Sequence, residues 1–260
     1  MEIAQNSGKR WKRILLFIGL PFLCLARGYA KDAENPTRLD LNFKVFPIER
    51  TLIEGLYYRA EVDSAEVNEV SFRARSRSRQ HPYRGSETIF FYENSVADDG
   101  ITTIRKTVAS AVLPAGIKEP LLFFVKASED GGESGRKYHV IAIEDSPDDF
   151  PLGHFRVLNA SGANLVGKVG SQRVELGFEA SKPWRISNLS RRGQKWVNVA
   201  FFLNIKGKNE VVYANQLRFE PKSRSVLVLR PPRRENSARV MTYLIEDFEP
   251  PASEETESGS

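Results

Sequence analysis

The amino-acid sequence predicts an all-β protein with two immunoglobulin-like or related β-sandwich domains. Apolar and polar residues alternate with a period of two in many short runs, as in residues 39–45, and this alternation is typical of half-buried strands. β-Branched and aromatic residues fill the runs, while Gly, Pro, Asn and Asp lie between them. No segment after residue 30 keeps a helical period over three turns. About a dozen short strands at spacings of roughly 8–12 residues favour sandwiches over βαβ units.

The individual strands follow from this pattern and from the turns between them. A glycine-rich segment at 129–135 joins one predicted hairpin, and residues 206–209 join a second, longer one. In chain order the predicted strands are 39–45, 68–75, 88–93, 106–113, 121–126, 137–144, 154–159, 165–169, 173–178, 183–186, 196–205, 210–219, 225–230 and 239–245.

The predicted domain boundary is the polar segment 144–151, which contains Pro147 and Pro151 between two apolar runs. It divides the chain into an N-terminal sandwich at 31–149 and a C-terminal basic sandwich at 150–248. Both lengths are normal for this architecture. One larger folded unit is the alternative. Residues 249–260 are rich in acidic and small polar residues and are predicted to form a disordered acidic tail.

Residues 1–30 form a predicted secretory signal peptide. A basic segment precedes the apolar run 14–26, and small residues at Gly28 and Ala30 match the cleavage positions. The apolar run would span about 20 Å as a helix, which is short of a hydrocarbon core of about 30 Å. We therefore expect export, a mature chain that starts near Lys31, and no transmembrane segment after cleavage. An uncleaved short anchor is the alternative.

Charge is distributed unevenly along the chain. The formal net charge is +5, but the predicted signal holds five basic residues and one acid, so the mature chain is close to neutral. Residues 31–150 carry a net charge of −5, residues 151–245 carry +12, and the segment from residue 246 carries −6. The high overall pI thus describes mainly the signal, and no nucleic-acid partner is expected.

Cysteine usage points to the compartment. The single cysteine, Cys24, lies in the predicted signal, so the mature chain has no disulfide. An exported chain of this size without disulfides fits a bacterial envelope better than an animal secretory pathway. The predicted localisation is therefore periplasmic or extracellular.

Two segments carry a resemblance to a known group of proteins. Residues 148–161 contain a Phe-Pro-x-Gly turn that leads into a strand ending in Leu-Asn, and residues 223–230 read Ser-Arg-Ser-Val-Leu-Val-Leu-Arg. These segments resemble exported proteins of unknown function from Verrucomicrobia-type bacteria. The resemblance covers mainly residues 140–245. It implies a β-sandwich and carries no activity with it.

A row of four alternating arginines is the most specific candidate site. If Arg73, Arg75, Arg77 and Arg79 continue a strand, their guanidinium groups project from one face about 6.5–7 Å apart. Such a row would suit a polyanion such as an anionic polysaccharide, because arginine binds phosphate, sulfate and carboxylate through a planar fork. The alternatives are an edge strand protected by its charges, or a ladder neutralised by neighbouring acids.

The C-terminal domain offers a possible second basic face. Exposed tryptophan beside arginine would form a stacking platform for sugars or bases, and Trp184 and Trp196 lie nearby in the sequence. More often, tryptophan in a sandwich belongs to the core. The basic residues of this predicted face are Arg191, Arg192, Lys195, Arg233 and Arg234.

No catalytic, metal or cofactor pattern emerges from the sequence. No two of its three histidines have ligand spacing, and no serine lies in a Gly-x-Ser-x-Gly elbow. The sequence therefore predicts a non-enzymatic binding or structural protein of the bacterial cell envelope, without cofactors. Its partner would be an anionic polysaccharide or another envelope protein. The alternative is a carbohydrate-active enzyme or its accessory carbohydrate-binding module. The oligomeric state stays open.

Overall fold

The computed structural model describes residues 38–49, 53–74, 76–127, 136–189, 196–205, 207–220, 222–234 and 237–248. All of them belong to the compact unit Pro36–Ser260. The predicted signal, the predicted tail and the 129–135 turn lie outside the described residues. The first half of the unit contains β1 (Leu39–Pro47), β2 (Leu56–Tyr58), β3 (Asn68–Glu69), β4 (His81–Gly85), β5 (Thr88–Val96), β6 (Thr103–Val112), β7 (Pro120–Lys126) and β8 (Tyr138–Glu144). The second half contains β9 (His154–Asn159), β10 (Leu165–Val169), β11 (Gln172–Leu176), β12 (Trp184–Arg185), the helical turn α1 (Ile186–Leu189), β13 (Trp196–Ile205), β14 (Lys208–Arg218), β15 (Ser223–Arg230) and β16 (Met241–Phe248).

The predicted all-β class is confirmed, and most predicted strands coincide with observed ones. The prediction of a strand at 68–75 is wrong beyond Glu69, because the chain leaves the sheet after β3 and makes a tight turn in which Arg73 bridges Ser76. Two strands, β2 and β4, were not predicted. β2 is only three residues long, and Pro82 interrupts the strand pattern of β4.

Four four-stranded sheets make up the described fold. Their strand orders are β3-β2-β5-β6, β4-β1-β7-β8, β12-β9-β15-β16 and β11-β10-β13-β14. All strand pairs are antiparallel except β1 with β7 and β9 with β15, which are parallel. The residues in contact place the sheets in four successive layers in the order given, with an apolar core between each pair of layers.

The two outer cores fill the two sandwiches. Phe43, Tyr58, Phe91 and Phe124 meet edge to face in the first, a geometry that aromatic rings favour. The second core is built on residues such as Phe155, packed against Phe219 with ring centroids 4.7 Å apart. Each sandwich therefore has an apolar core of its own.

The third core lies between the two inner sheets and joins the halves. It contains Phe46 and Phe123 from the first half, and Leu158 and Val228 from the second. Both faces of the inner strands are therefore buried, which explains why β7 and β15 read as nearly continuous apolar runs. The predicted boundary falls between β8 and β9. Independent folding of the two halves stays a prediction.

The two halves repeat the same connectivity. When eight is added to each strand number of a sheet in the first half, the result is the strand order of the corresponding sheet in the second half. Each outer hairpin, β5–β6 and β13–β14, contains one β-bulge, whose extra residue is the buried Val108 in one half and the buried Val212 in the other. A β-bulge is a specific local irregularity, so its recurrence at the same place marks the halves as structural repeats.

Candidate functional site

The structure does not place Arg73, Arg77 and Arg79 in one row. These three arginines lie in the connection between β3 and β4 and not on a strand, so the condition for one shared face is not met. Arg73 and Arg79 are exposed, and Arg77 is largely buried against the second half. Arg75 lies outside the described residues. Polyanion binding by Arg73 and Arg79 stays a prediction.

Arg77 belongs to an ion-pair network between the halves. Its Nε and Nη2 atoms donate to the two carboxylate oxygens of Asp145 at 2.8 and 2.9 Å, and its Nη1 atom donates to Asp247 at 2.5 Å. Arg224 reaches the same two carboxylates, with Nε 3.0 Å from Asp247 and Nη2 3.5 Å from Asp145. It also donates to the carbonyl oxygen of Phe150 at 3.0 Å. Two arginines and two aspartates thus neutralise one another at one end of the third core.

Repeat symmetry explains how the two aspartates converge. Asp145 follows β8 in the sequence Ile-Glu-Asp, and Asp247 lies in β16 in a second Ile-Glu-Asp. Ile143 and Ile245, two residues before each aspartate, both line the third core. Because equivalent edges of the two inner sheets meet here, one pair of arginines serves both aspartates.

Burial and charge shape the protonation of the arginines in this network. Burial alone lowers the pKa of Arg77, but the hydrogen bonds and negative charges of Asp145 and Asp247 outweigh it and raise the pKa overall. Nearby Arg156 packs its guanidinium 4.5 Å from the ring centre of Phe150. Burial lowers the pKa of Arg156 to about 10. Arg77 and Arg156 therefore both remain charged at neutral pH.

The opposite end of the third core is closed in a similar way. Arg230, at the end of β15, donates to Glu49 at 2.8 Å. Arg224 and Arg230 therefore both serve the junction between the halves.

The predicted second basic face is only partly visible. Arg191, Arg192 and Lys195 lie outside the described residues, while Arg233 and Arg234 are exposed after β15. Their contribution to binding stays a prediction.

The two tryptophans have different environments. Trp184 is half-buried and packs on Phe155 with ring centroids 6.2 Å apart, as part of the second core. Trp196 is 48% exposed at the start of β13. Inward positions of β13, such as Val197 and Val199, are buried, so strand alternation turns Trp196 to the solvent.

Trp196 lies on a solvent-facing sheet surface with further binding groups, which we call the outer C face. Asn198 and Phe202 follow it on the same side of β13, and Gln216 lies directly opposite Asn198 on β14. Lys168 projects from the same side of the neighbouring strand β10. The outer C face is defined by Lys168, Trp196, Asn198, Phe202 and Gln216.

Several polar groups of the outer C face have no partner among the residues that the structure describes. The side-chain amides of Asn198 and Gln216 make no hydrogen bond within the described part of the chain, and Lys168 forms no ion pair with it. The one carboxylate among neighbouring outward positions of β11, Glu175, is 3.3 Å from Arg173. The face is therefore polar, carries net positive charge and leaves amides free to bind a ligand.

The acidic residues Asp98 and Asp99 lie in the turn between β5 and β6. Asp99 accepts hydrogen bonds from the backbone of Ile101 and Thr102 at 2.9 and 2.8 Å. A hydrogen bond from the Thr102 hydroxyl, together with these two backbone bonds, lowers the pKa of Asp99. No group of three or more potential metal ligands exists among the described residues.

The described residues contain no helix with the length and apolar character that a membrane span requires. Nothing in the described part of the chain indicates enzymatic activity.

Comparison with known proteins adds no family. No protein-family model matches the chain, and a search of curated proteins finds no significant match. The function is therefore inferred from the geometry of the outer C face.

Proposed function

We propose that this protein is an exported, non-enzymatic binding protein of the bacterial cell envelope, and that its outer C face binds an anionic polysaccharide. The observation that carries this proposal is the exposed ring of Trp196 on the same strand face as Phe202, beside a cation and side-chain amides that have no partner among the described residues. An accessory carbohydrate-binding role, part of the alternative above, uses the same face.

The aromatic rings favour a sugar ligand of extended shape. A pyranose has an apolar C–H surface that stacks on an aromatic ring, while its hydroxyl groups stay in water. Trp196 and Phe202 are six residues apart on β13, which corresponds to about 20 Å along a strand. That distance matches several sugar units of a chain lying along the strand.

The polar groups between the rings suit the hydroxyl and carboxylate groups of such a chain. The amides of Asn198 and Gln216 each offer a donor and an acceptor, as sugar hydroxyls require. Lys168 supplies a positive charge, and the segment 151–245 carries a net charge of +12. This charge favours a uronic, sulfated or phosphorylated polymer over a neutral one.

The arginine-bound pair Asp145 and Asp247 is poorly suited to hydrolysis. Glycoside hydrolysis needs two carboxyl groups flanking the bond that breaks, one of them protonated. Asp145 and Asp247 do converge, but both are held by Arg77 and Arg224, and the side chain of Asp145 is 1% exposed. They serve the junction between the halves.

The proposal is tested by affinity electrophoresis of the exported protein in gels that contain polygalacturonate, with a neutral dextran gel for comparison. We expect Trp196→Ala to weaken polygalacturonate binding about tenfold or more. The magnitude is taken from the stacking of a nucleic-acid base on an aromatic side chain, which contributes about 1–3 kcal/mol. Lys168→Gln should weaken binding and reduce its salt dependence, because one ion pair is lost.

Two control variants match these changes in chemistry and exposure. Phe248→Ala removes an exposed aromatic ring from β16, and Lys182→Gln removes an exposed lysine outside the outer C face. Equal retardation of Trp196→Ala and Phe248→Ala in polygalacturonate would contradict the proposal. If the wild type is retarded equally in the dextran and the polygalacturonate gels, the ligand is a neutral glycan.

A further inference from the structure

The outer sheet of the first half repeats the chemistry of the outer C face. Strand registers make Tyr92 the equivalent of Phe202, since each follows the bulge of its hairpin. Arg59 is the equivalent of Lys168, because each directly follows the matching inward-facing position on the strand beside the hairpin. An aromatic ring and a cation therefore recur together in both halves.

Three aromatic side chains, Tyr57, Phe90 and Tyr92, lie on the outer side of this sheet. Phe90 is 46% exposed on β5. Tyr57 lies directly opposite Tyr92 across the β2–β5 pair, and the guanidinium of Arg59 lies 5.8 Å from the ring centre of Tyr92. We call this surface the outer N face and define it by Tyr57, Arg59, Phe90 and Tyr92.

The layer order directs the two faces away from each other. The sheets that carry them are the first and fourth layers, and their inner sides fill the two outer cores. Three intersheet spacings of about 10 Å each separate the two outer sheets. A polymer strand lying flat on one face therefore does not reach the other.

We infer that the outer N face is a second site for the same class of anionic polysaccharide, so that one protein molecule bridges two polymer strands. This inference rests on the function proposed above, because it assigns to the repeat the ligand of the outer C face. Its mechanical consequence is cross-linking, and its thermodynamic consequence is avidity toward a bundled polymer.

The inference is tested by light scattering of soluble polygalacturonate titrated with the full exported protein. With the wild type, scattering should rise several-fold, pass through a maximum, and fall in excess protein, because each polymer strand is then saturated separately. Phe90→Ala and Trp196→Ala should each abolish the rise. In calorimetric titrations with a short oligogalacturonate, each variant should retain one site in place of two. Both changed side chains are exposed, so melting temperatures should stay close to that of the wild type, as a check of folding.

Each other outcome has a distinct meaning. If Trp196→Ala weakens binding while Phe90→Ala changes neither site number nor scattering, the second site is refuted and the proposed function stands. If neither variant changes binding, the proposed function itself fails. If both single variants still raise scattering, the protein cross-links by self-association, and the inference is overturned.

Discussion

Removal of the Arg77 guanidinium should destabilise the protein strongly, although the sequence suggested a surface residue. The variant Arg77→Gln leaves Asp145, whose side chain is 1% exposed, with Arg224 at 3.5 Å as its one remaining ion-pair partner among the described residues. It also deletes a bidentate pair of hydrogen bonds at 2.8 and 2.9 Å. Breaking a buried ion pair costs about 3–5 kcal/mol.

The expected magnitude lies below that range. Arg77 is itself 15% exposed and Asp247 is 31% exposed, so water compensates part of the loss, and Arg224 remains in place. We expect a loss of about 2–3 kcal/mol, which for a unit of this size corresponds to roughly 5–10 °C in melting temperature. The shift should persist in 0.5 M salt, because buried pairs are screened little.

Thermal and urea unfolding at pH 7 measure this effect. Arg73→Gln is the matched control, because Arg73 is an exposed arginine of the same connection, and it should melt within about 1 °C of the wild type. In a double-mutant cycle, Asp145→Asn should cost less in the Arg77→Gln background than alone, because the buried charge has lost its main partner. If Arg77→Gln melts together with Arg73→Gln, the network does not stabilise the junction, and the reasoning fails.

Three further predictions concern other buried positions. His81 is buried and stacks on Phe43; burial, with a smaller effect of a nearby arginine, lowers its pKa below 6.5. The unfolded chain is therefore protonated first on acidification, and stability should fall as the pH drops below 6.5. His81→Phe should flatten this slope in unfolding free energies measured from pH 7.5 to 5, and an unchanged slope would refute the assignment. The amide of Asn159 donates to three carbonyl oxygens at 2.7–3.1 Å. Because a carboxylate cannot donate these hydrogen bonds, Asn159→Asp should lower the free energy of unfolding in urea by about 2–4 kcal/mol. A decrease below about 1 kcal/mol would contradict this. Gly167→Ala would place a Cβ atom 2.4 Å from the Phe201 ring and should lower the free energy of unfolding by about 1–3 kcal/mol. Gly177→Ala is the control, because its Cβ atom would lie 3.7 Å from the nearest neighbour, and it should unfold like the wild type. Equal losses of stability in the two variants would refute the steric reasoning.

The fold could be predicted where each strand carries its own pattern. β13 alternates Trp196 and Asn198 outward with Val197 and Val199 inward, and this alternation alone predicts both the strand and the exposure of Trp196. β7 was also predicted, but its unbroken burial depends on a second sheet that packs on its other face. The four-layer order could not be read from any single strand, because it depends on which apolar faces meet.

The site was harder to predict, for a related reason. The carboxylates that hold Arg77 lie 68 and 170 residues away in the chain, so no local pattern marks Arg77 as partnered. The spacing of the arginines suggested a strand, whereas the chain turns at Arg73. One signal of the repeat was present in the sequence, namely Ile-Glu-Asp at 143–145 and again at 245–247.

The shared third core has a consequence for how the chain is made. When residues 39–144 have emerged but β9–β16 have not, the inner sheet of the first half has no partner for the side that carries Phe46, Leu121 and Phe123. A nascent chain at this stage exposes a wide apolar surface and is prone to aggregate. Because the missing partner is a structural repeat of the first half, a chain truncated near residue 149 should pair with a second copy of itself through this surface. The native partner of this surface is complete only when β16, which carries Ile245 of the third core, has been made.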